Sequence, residues 1–244
     1  MNGFEKLNNN PDNDLNIENA YKLSENTHSH AELCDMLKNG NIQEKQIAAL
    51  KFDKVGNSDD AIALLNNLTG CDGKIREAVA YKINSLISHS QEARECFSEI
   101  AGETFAKATI DINANICRLI VNSARYLKCN KNFEKSYTSF IIKYTNEALA
   151  ELDKFIFRDK KYVINKQLFK LYWCLEALIY FFDSINENTL LQILTQCAAQ
   201  QEYTIREKCA EIIMKSGKYY NLRQILENDD NYYVKHVFTS SKHL

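Results

Sequence analysis

The chain has few of the residues that end helices and form tight turns. Its 244 residues include 7 Gly and 1 Pro, whereas average usage is roughly 7% and 5%. A sheet-rich fold needs many tight turns, and glycine supplies the backbone angles of most hairpin turns. The proline, Pro11, lies in an Asn-rich opening stretch, so no later residue is the strongest helix breaker. These shortages indicate helices joined by short polar loops.

The cysteines lack the paired spacing of a disulfide framework or a zinc motif. No Cys-x-x-Cys occurs in the sequence. Three of the thiols lie among apolar residues of predicted helices, where a reduced cysteine behaves as a small hydrophobic residue; they are Cys117, Cys174 and Cys209. Eight unpaired cysteines favour a reducing cytosol.

Hydrophobic segments of the kind needed for export or membrane insertion are also missing. The first ten residues have no apolar core of a secretory signal, and no later run offers about 18 uncharged apolar residues. We therefore expect a cytoplasmic protein without a membrane partner. With 45% hydrophobic and 25% charged residues, the chain can bury a sizeable core.

Motifs that bind nucleotides, metals or acyl groups are absent as well. The sequence contains no Gly-rich phosphate loop, no His-Glu-x-x-His and no nucleophile elbow. His28, His30 and Cys34 could provide ligands to zinc, but a fourth ligand is not evident nearby. We predict no catalytic residue, no cofactor and no metal.

Two segments of the chain repeat one pattern. Residues 72–80 and 202–210 both read acidic-x-x-Ile-Arg-Glu, beginning at Asp72 and Glu202. After each Ile, apolar residues recur at helical spacing, so each segment is predicted to form an amphipathic helix. Weaker versions of this block occur at Ile42, Ile116, Ile164 and Val234.

Segments between the blocks are predicted to form the partner helices of two-helix repeats. Residues 58–68, 188–194 and 220–226 have the required length and polarity, and Ser58 with the acidic residues after it is typical of a helix N-terminus. The blocks recur at intervals of about 29 to 48 residues, around the length of one two-helix repeat. One helix pair cannot bury its own apolar face, so stacked pairs must complete a continuous core.

The acidic turn followed by a β-branched and a basic residue resembles the second helix of HEAT repeats. The resemblance extends over about residues 40–240 and implies an all-α fold, an α-solenoid (α-α superhelix) of about five to six HEAT-like helix pairs. We expect residues 26–244 to form this single domain after a flexible or loosely helical segment at residues 1–25. In that family the turn Asp and the following Arg hydrogen-bond between successive repeats. This implies a structural ladder of Asp72, Arg76, Asp111, Arg118, Arg206, Asp229 and Lys235.

The sequence departs from the HEAT pattern in its middle. Gln43 and Asn165 stand where the family has a basic residue, and the central intervals are long. The central repeats are therefore either shifted in register or elongated.

Residues 166–182 are predicted to form a helix that is apolar on two faces. Beside the core stripe, a second stripe contains Phe169, Trp173, Glu176 and Tyr180. A helix that is apolar all round is usually buried between neighbours. Alternatively, the second stripe faces a binding groove, with Trp173 and Tyr180 as interface residues.

Basic side chains are concentrated in the middle of the chain. Residues 128–170 carry 10 basic and 5 acidic side chains, whereas residues 1–60 carry 6 basic and 11 acidic ones. Such lysines usually lie on solvated helix faces. The alternative is an anionic partner, either an acidic protein or single-stranded nucleic acid. The predicted partner surface comprises Arg158, Lys160, Lys161, Lys166, Lys170 and Trp173.

These features predict a non-catalytic scaffold that binds a protein partner, not an enzyme. Its groove would be lined by the helices that contain Ile75, Ile116, Ile164 and Ile205. The alternative comes from the HEAT-like DNA glycosylases, which use concave aromatic side chains and a carboxylate, here Glu176. A net charge of −2 and a pI near 6.2 do not favour a nucleic-acid partner, because a duplex binder needs a dominant basic face.

Overall fold

The computed structural model describes residues 21–154 and 161–240 of the chain. Their regular structure is entirely helical, and no β-strand occurs in these two ranges, which confirms the all-α prediction. Among the helices of the described residues, none is both long and apolar enough for a membrane crossing. Residues 21–25 are helical. The helices that follow are α1 His30–Asn39, α2 Ile42–Lys51, α3 Ser58–Leu68, α4 Gly73–His89, α5 Gln91–Ile100, α6 Gly102–Thr109, α7 Ala114–Leu127, α8 Lys131–Lys154, α9 Lys161–Phe181, α10 Glu187–Ala198, α11 Tyr203–Ser216, α12 Tyr220–Glu227 and α13 Tyr232–Ser240, with a 3-10 turn at Phe182–Ser184.

The helices pack in two layers. The first layer contains α1, α3, α5 with α6, α8, α10 and α12, and the second contains α2, α4, α7, α9, α11 and α13. Each second-layer helix contacts the next one and also the first-layer helix that precedes it in the chain. One cluster of buried apolar side chains runs from Leu33 to Phe238. All of the Ile or Val blocks lie in the first turns of second-layer helices.

Side-chain caps, not glycine or proline, begin most of these helices. Asp72 accepts hydrogen bonds from two backbone N–H groups in the first turn of α4, and Asn41, Asn113 and Asn186 cap α2, α7 and α10 in a similar way. Each such cap stabilises a helix by about 1 kcal/mol. The end of α11 is different, since Gly217 has a φ of 64°, which glycine adopts without strain. Short polar loops are therefore sufficient to separate the helices.

A row of aromatic rings fills the middle of the core. The rings of Phe97, Phe105, Phe133, Tyr137 and Phe181 follow one another with centroid distances of 6.2, 5.9, 5.4 and 5.2 Å. All of them are buried, and each aromatic pair contributes about 0.5–1.5 kcal/mol beyond the burial of its area. The row joins α5, α6, α8 and α9 into one packing unit.

The long intervals in the middle of the sequence have two structural causes. Between α4 and α7 the first layer contains two helices, α5 and α6, which meet at Ala101. The next pair is long, with 24 residues in α8 and 21 in α9. The central pairs are thus extended, as one of the two alternatives predicted.

Helix α6 begins where its backbone passes very close to α8. A Cβ atom added at Gly102 would lie 2.5 Å from Oγ and 2.7 Å from Cβ of Ser136. Glycine inside a helix costs roughly 0.5–1 kcal/mol relative to alanine, so this close approach accounts for a glycine at the position.

We predict that Gly102→Ala lowers the free energy of unfolding by about 1–3 kcal/mol, because the added methyl group must push α6 and α8 apart. Urea denaturation measures the change. Gly73→Ala is the matched control, since its Cβ would meet only Arg76 Nη2, at 3.9 Å, and we expect it to be neutral or stabilising by up to about 1 kcal/mol. Equal stability of the two variants would contradict the close-packing explanation.

Candidate binding face

Two arginine side chains bridge successive second-layer helices in the same way. Near the start of α4, Nε and Nη2 of Arg76 donate to the carboxylate of Asp111 at 2.7 and 3.2 Å. Near the start of α11, the same atoms of Arg206 donate to Asp229 at 2.6 and 3.0 Å. Each aspartate lies just before the next second-layer helix. Both bridges have the two-point geometry that makes arginine–carboxylate pairs strong and directional.

The same side chains also hold the neighbouring turns. Nη1 of Arg76 donates to two carbonyl oxygens of the turn before α4, at 2.9 and 3.0 Å, and Nη1 of Arg206 does so before α11, at 2.8 and 2.7 Å. Hydrogen bonds from Arg206 lower the pKa of Asp229 below its usual 3.8. The aspartates in turn raise the pKa of both arginines. Each bridge thus fixes three segments of backbone at once.

The other residues of the predicted ladder have different contacts. Asp72 caps α4 and does not bridge to another helix. Arg118 is exposed, and its Nη2 donates to Asn115 of its own helix at 2.8 Å. Lys235 is half-buried on α13, where its charge adds to the larger effect of Arg206 in lowering the pKa of Asp229.

The second aromatic stripe of α9 lies at the surface of the second layer, between α7 and α11. Phe169, Trp173, Glu176 and Tyr180 are all half-buried, whereas Leu171, Leu175 and Ile179 of the same helix are fully buried. Trp173 packs against the rings of Phe169 and Tyr172 at 6.3 and 5.4 Å. Its indole N–H is shielded from solvent and has no hydrogen-bond partner among the described residues. Trp173 is therefore neither a core residue nor a fully exposed one.

Glu176 is bound in an ion pair on this surface. Nζ of Lys208, on α11, lies 2.8 Å from a carboxylate oxygen of Glu176 and 2.9 Å from one of Glu211. Burial lowers the pKa of Lys208, but the hydrogen bonds to the two carboxylates outweigh it and raise this pKa above its usual range. The carboxylate that a glycosylase mechanism would require is thus occupied by a lysine.

A row of polar and aromatic side chains crosses the C-terminal ends of the second-layer helices. Arg125 of α7 lies over the ring of Tyr180 of α9, 4.1 Å from its centroid, and Nζ of Lys215 of α11 lies 4.6 Å from the same centroid. Arg125 and Lys215 are exposed, and neither forms an ion pair within residues 21–154 and 161–240. We call the following residues the polar row: Asn84, Asn122, Arg125, Tyr126, Tyr180 and Lys215.

Two hollows extend the polar row at its ends. Its α4–α7 end lines a hollow of about 450 Å³ with Asn84, Asn122, Arg125 and Tyr126. Beyond Lys215, a second hollow of about 350 Å³ lies between α11 and α13. The row and the hollows form an extended surface over four neighbouring second-layer helices and part of a fifth, which is suited to an elongated partner.

The predicted partner surface can be followed only in part. Arg158 and Lys160 lie outside the described residues, and so does the side chain of Lys161. Lys166 is exposed and Lys170 is half-buried, both on α9. Of this set, Trp173 belongs to the aromatic stripe that also contains Tyr180 of the polar row.

Sequence reasoning missed most of the polar row. A usable signal existed, because Asn84, Arg125 and Lys215 each lie nine or ten positions after the Ile of their block. Aligning the blocks at Ile75, Ile116 and Ile205 would have brought these side chains to equivalent helix ends. The pairing of Tyr180 with both neighbours was not visible in the sequence, since it depends on the packing of three helices.

The His-x-His-x-x-x-Cys cluster of the sequence does not come together as a unit. Nε2 of His28 lies 3.0 Å from the carbonyl oxygen of Leu23. His30 and Cys34, on α1, instead lie beside Asp60 of α3.

Comparisons with known proteins show similarity in fold and indicate no function. Neither the scan against protein-family models nor the search of curated proteins finds a match. A solved structure with similarity is that of an engineered protein from a structural genomics consortium, with a TM-score of 0.50 and 14% identity over 89% of this chain and 98% of that one. A second engineered protein has a TM-score of 0.46 and 12% identity over 89% and 96% of the two chains.

We predict that Arg76→Ala lowers the free energy of unfolding by about 3 kcal/mol, because the carboxylate of Asp111, whose side chain is 10% exposed, loses the opposite charge that compensates it. Arg118→Ala is the matched control, with an expected change within about 0.5 kcal/mol, since its side chain is exposed and bonds only within its own helix. Urea denaturation of both variants measures the difference. A small effect at Arg76 would mean that the bridge contributes little.

Proposed function

We propose that the chain is a HEAT-like α-solenoid that acts as a non-catalytic scaffold and binds a protein partner across its second layer. The polar row is the observation that carries this proposal. Successive helix pairs that contact their neighbours, together with two equivalent arginine–aspartate bridges, support the solenoid. Such stacking leaves the ends of the second-layer helices side by side as one extended surface.

The chemistry of the polar row favours an acidic segment of a protein. Arg and Tyr are among the residues that contribute most to protein interfaces. Arg125 and Lys215 present two exposed positive charges on either side of one aromatic ring, and carboxylates of a partner would pair with them. Asn84 and Asn122 add amide groups that can hydrogen-bond to an extended backbone.

Several observations favour a scaffold over an enzyme of the glycosylase type. The hollow at the α4–α7 end of the polar row is lined by Asn84, Asn122, Arg125 and Tyr126. The carboxylate of Glu176 is paired with Lys208. An enzyme would need polar groups that converge in a deep pocket, whereas a scaffold needs a long surface.

All eight cysteines are free thiols, which supports a reducing compartment such as the cytoplasm.

The test is capture of partners from a lysate of the organism that encodes the chain, with and without nuclease. We expect the wild-type chain to retain a protein that mass spectrometry identifies, and Arg125→Glu with Lys215→Glu to lose it, because both charges that face the partner are reversed. The second measurement is titration of that protein into both chains.

The matched control is Lys143→Glu with Lys218→Glu, which changes the net charge equally. Lys143 lies on α8 of the first layer, and Lys218 follows α11 and pairs with Glu187 of α10, so we expect binding to persist. Equal loss in both double variants would indicate a general charge effect and contradict the proposed surface. Recovery of material that nuclease abolishes would support the nucleic-acid alternative instead.

A further inference from the structure

We propose that His30, Cys34 and Asp60 form a binding site for a divalent cation of the zinc type. The candidate ligand atoms are Nε2 of the imidazole, Sγ of the thiol and a carboxylate oxygen of the aspartate. They all lie within 4.8 Å of one another. Nitrogen, sulfur and carboxylate oxygen are the ligand atoms that zinc takes in proteins.

The separations of these atoms are close to those of a tetrahedral site. With metal bonds of about 2.0–2.3 Å, neighbouring ligands lie roughly 3.4 Å apart for nitrogen and oxygen and roughly 3.6 Å apart for sulfur and oxygen. In the structure, Nε2 of His30 is 2.9 Å from Oδ1 of Asp60, and Sγ of Cys34 is 3.8 Å from the same oxygen. These two distances are within about half an ångström of the tetrahedral values. The third separation, between Nε2 and Sγ, is at most 4.8 Å and would close to roughly 3.6 Å around the ion.

The helices hold the three side chains in place. His30 and Cys34 are four residues apart on α1, so they project from one face of the helix. Asp60 lies in the first turn of α3, where its Oδ2 accepts a hydrogen bond from the backbone N–H of Gly56 at 2.9 Å. That bond leaves Oδ1 directed towards the other two groups. The ring of His30 packs against Phe52 with a centroid distance of 5.0 Å, which limits its rotation.

The second imidazole nitrogen of His30 also supports a cation site. Its Nδ1 is shielded from solvent and has no hydrogen-bond partner among the described residues, yet Oδ1 of Asp53 lies 3.9 Å away. Histidines that bind a metal through one nitrogen usually donate the other N–H to a carboxylate, which fixes the ring orientation. A cation at Nε2 would place the proton on Nδ1, where a small movement of Asp53 completes that hydrogen bond.

The arrangement does not fit a nucleophilic cysteine. In a cysteine nucleophile of the Cys–His type, the imidazole lies against the thiol and removes its proton. Here the thiol of Cys34 and the imidazole of His30 both contact Asp60. Three protein ligands leave one position of a tetrahedral ion for solvent, and the partial exposure of His30 provides a route for the ion.

The site is tested on the full chain with Zn²⁺ by isothermal titration calorimetry and with Co²⁺ by absorption spectroscopy, under reducing conditions without chelators. We expect one ion per chain and a sulfur-to-cobalt charge-transfer band from Cys34. Cys34→Ser should abolish that band and weaken Zn²⁺ binding, and His30→Gln should weaken binding independently. Asp53→Asn should weaken it by about 10–100-fold, as loss of a supporting hydrogen bond does.

Two matched controls separate this site from general binding by thiols and imidazoles. His28→Gln removes a neighbouring imidazole that contacts the carbonyl oxygen of Leu23, and Cys129→Ser removes a thiol between α7 and α8. Both should leave the affinity and the band unchanged. Thermal denaturation with and without Zn²⁺ gives a further readout, since the ion should raise the Tm of the wild type and not that of Cys34→Ser.

The proposal is overturned by absence of stoichiometric binding to the wild type, by binding that survives both Cys34→Ser and His30→Gln, or by equal losses in the two controls. In the first case, the hydrogen bond between His30 and Asp60 would serve only to hold α1 against α3.

Discussion

No helix pair in this chain can cover its own apolar face, and burial of these faces between two layers constrains the rest of the structure. Each second-layer helix contacts a first-layer helix and the second-layer helices next to it. Its inner face and flanks are thus largely buried, and its outer face is left at the surface. The buried cluster accordingly continues from α1 to α13, and the polar row lies on four neighbouring second-layer helices, α4, α7, α9 and α11.

Apolar burial is not directional, so it does not by itself fix how successive helices are aligned. The two arginine–aspartate bridges supply that direction, because each joins a helix start to the loop before the next second-layer helix through two parallel hydrogen bonds. The bridges lie near the N-terminal ends of α4 and α11, and the polar row lies at the opposite ends. The bridges and the polar row are thereby separated along α4 and α11.

The sequence predicted a structural feature correctly where all the residues that determine it lie in one short segment. The block at Ile75 and the block at Ile205 each combine an acidic cap, an apolar stripe and an arginine, so their helices and their arginines could be predicted locally. The extended central pairs were left open, because no local residue marks the break at Ala101 and the rings that join α5, α6, α8 and α9 are distant in the sequence. The same holds for Trp173, whose half-burial depends on how closely α7 and α11 flank α9.

Contacts between distant residues account for the features that sequence reasoning missed. Asp60 is 30 residues from His30, and no spacing rule relates an aspartate in the first turn of one helix to an imidazole at the start of another. Tyr180 similarly contacts Arg125 and Lys215 on two different helices. Such constellations are encoded by the packing of the layers, and a motif search along the chain does not detect them.

Net charge is a poor guide to partners in a protein built this way. The overall value of −2 sums many cations that are already engaged, including the bridging arginines Arg76 and Arg206 and the doubly paired Lys208. It also includes the 11 acidic side chains of residues 1–60. A partner at the polar row would meet the cations Arg125 and Lys215, while Glu207 and Glu211 line the hollow beyond Lys215. Charges farther away than about 8–10 Å are largely screened at physiological salt. An acidic whole chain is therefore compatible with a surface that selects an acidic partner.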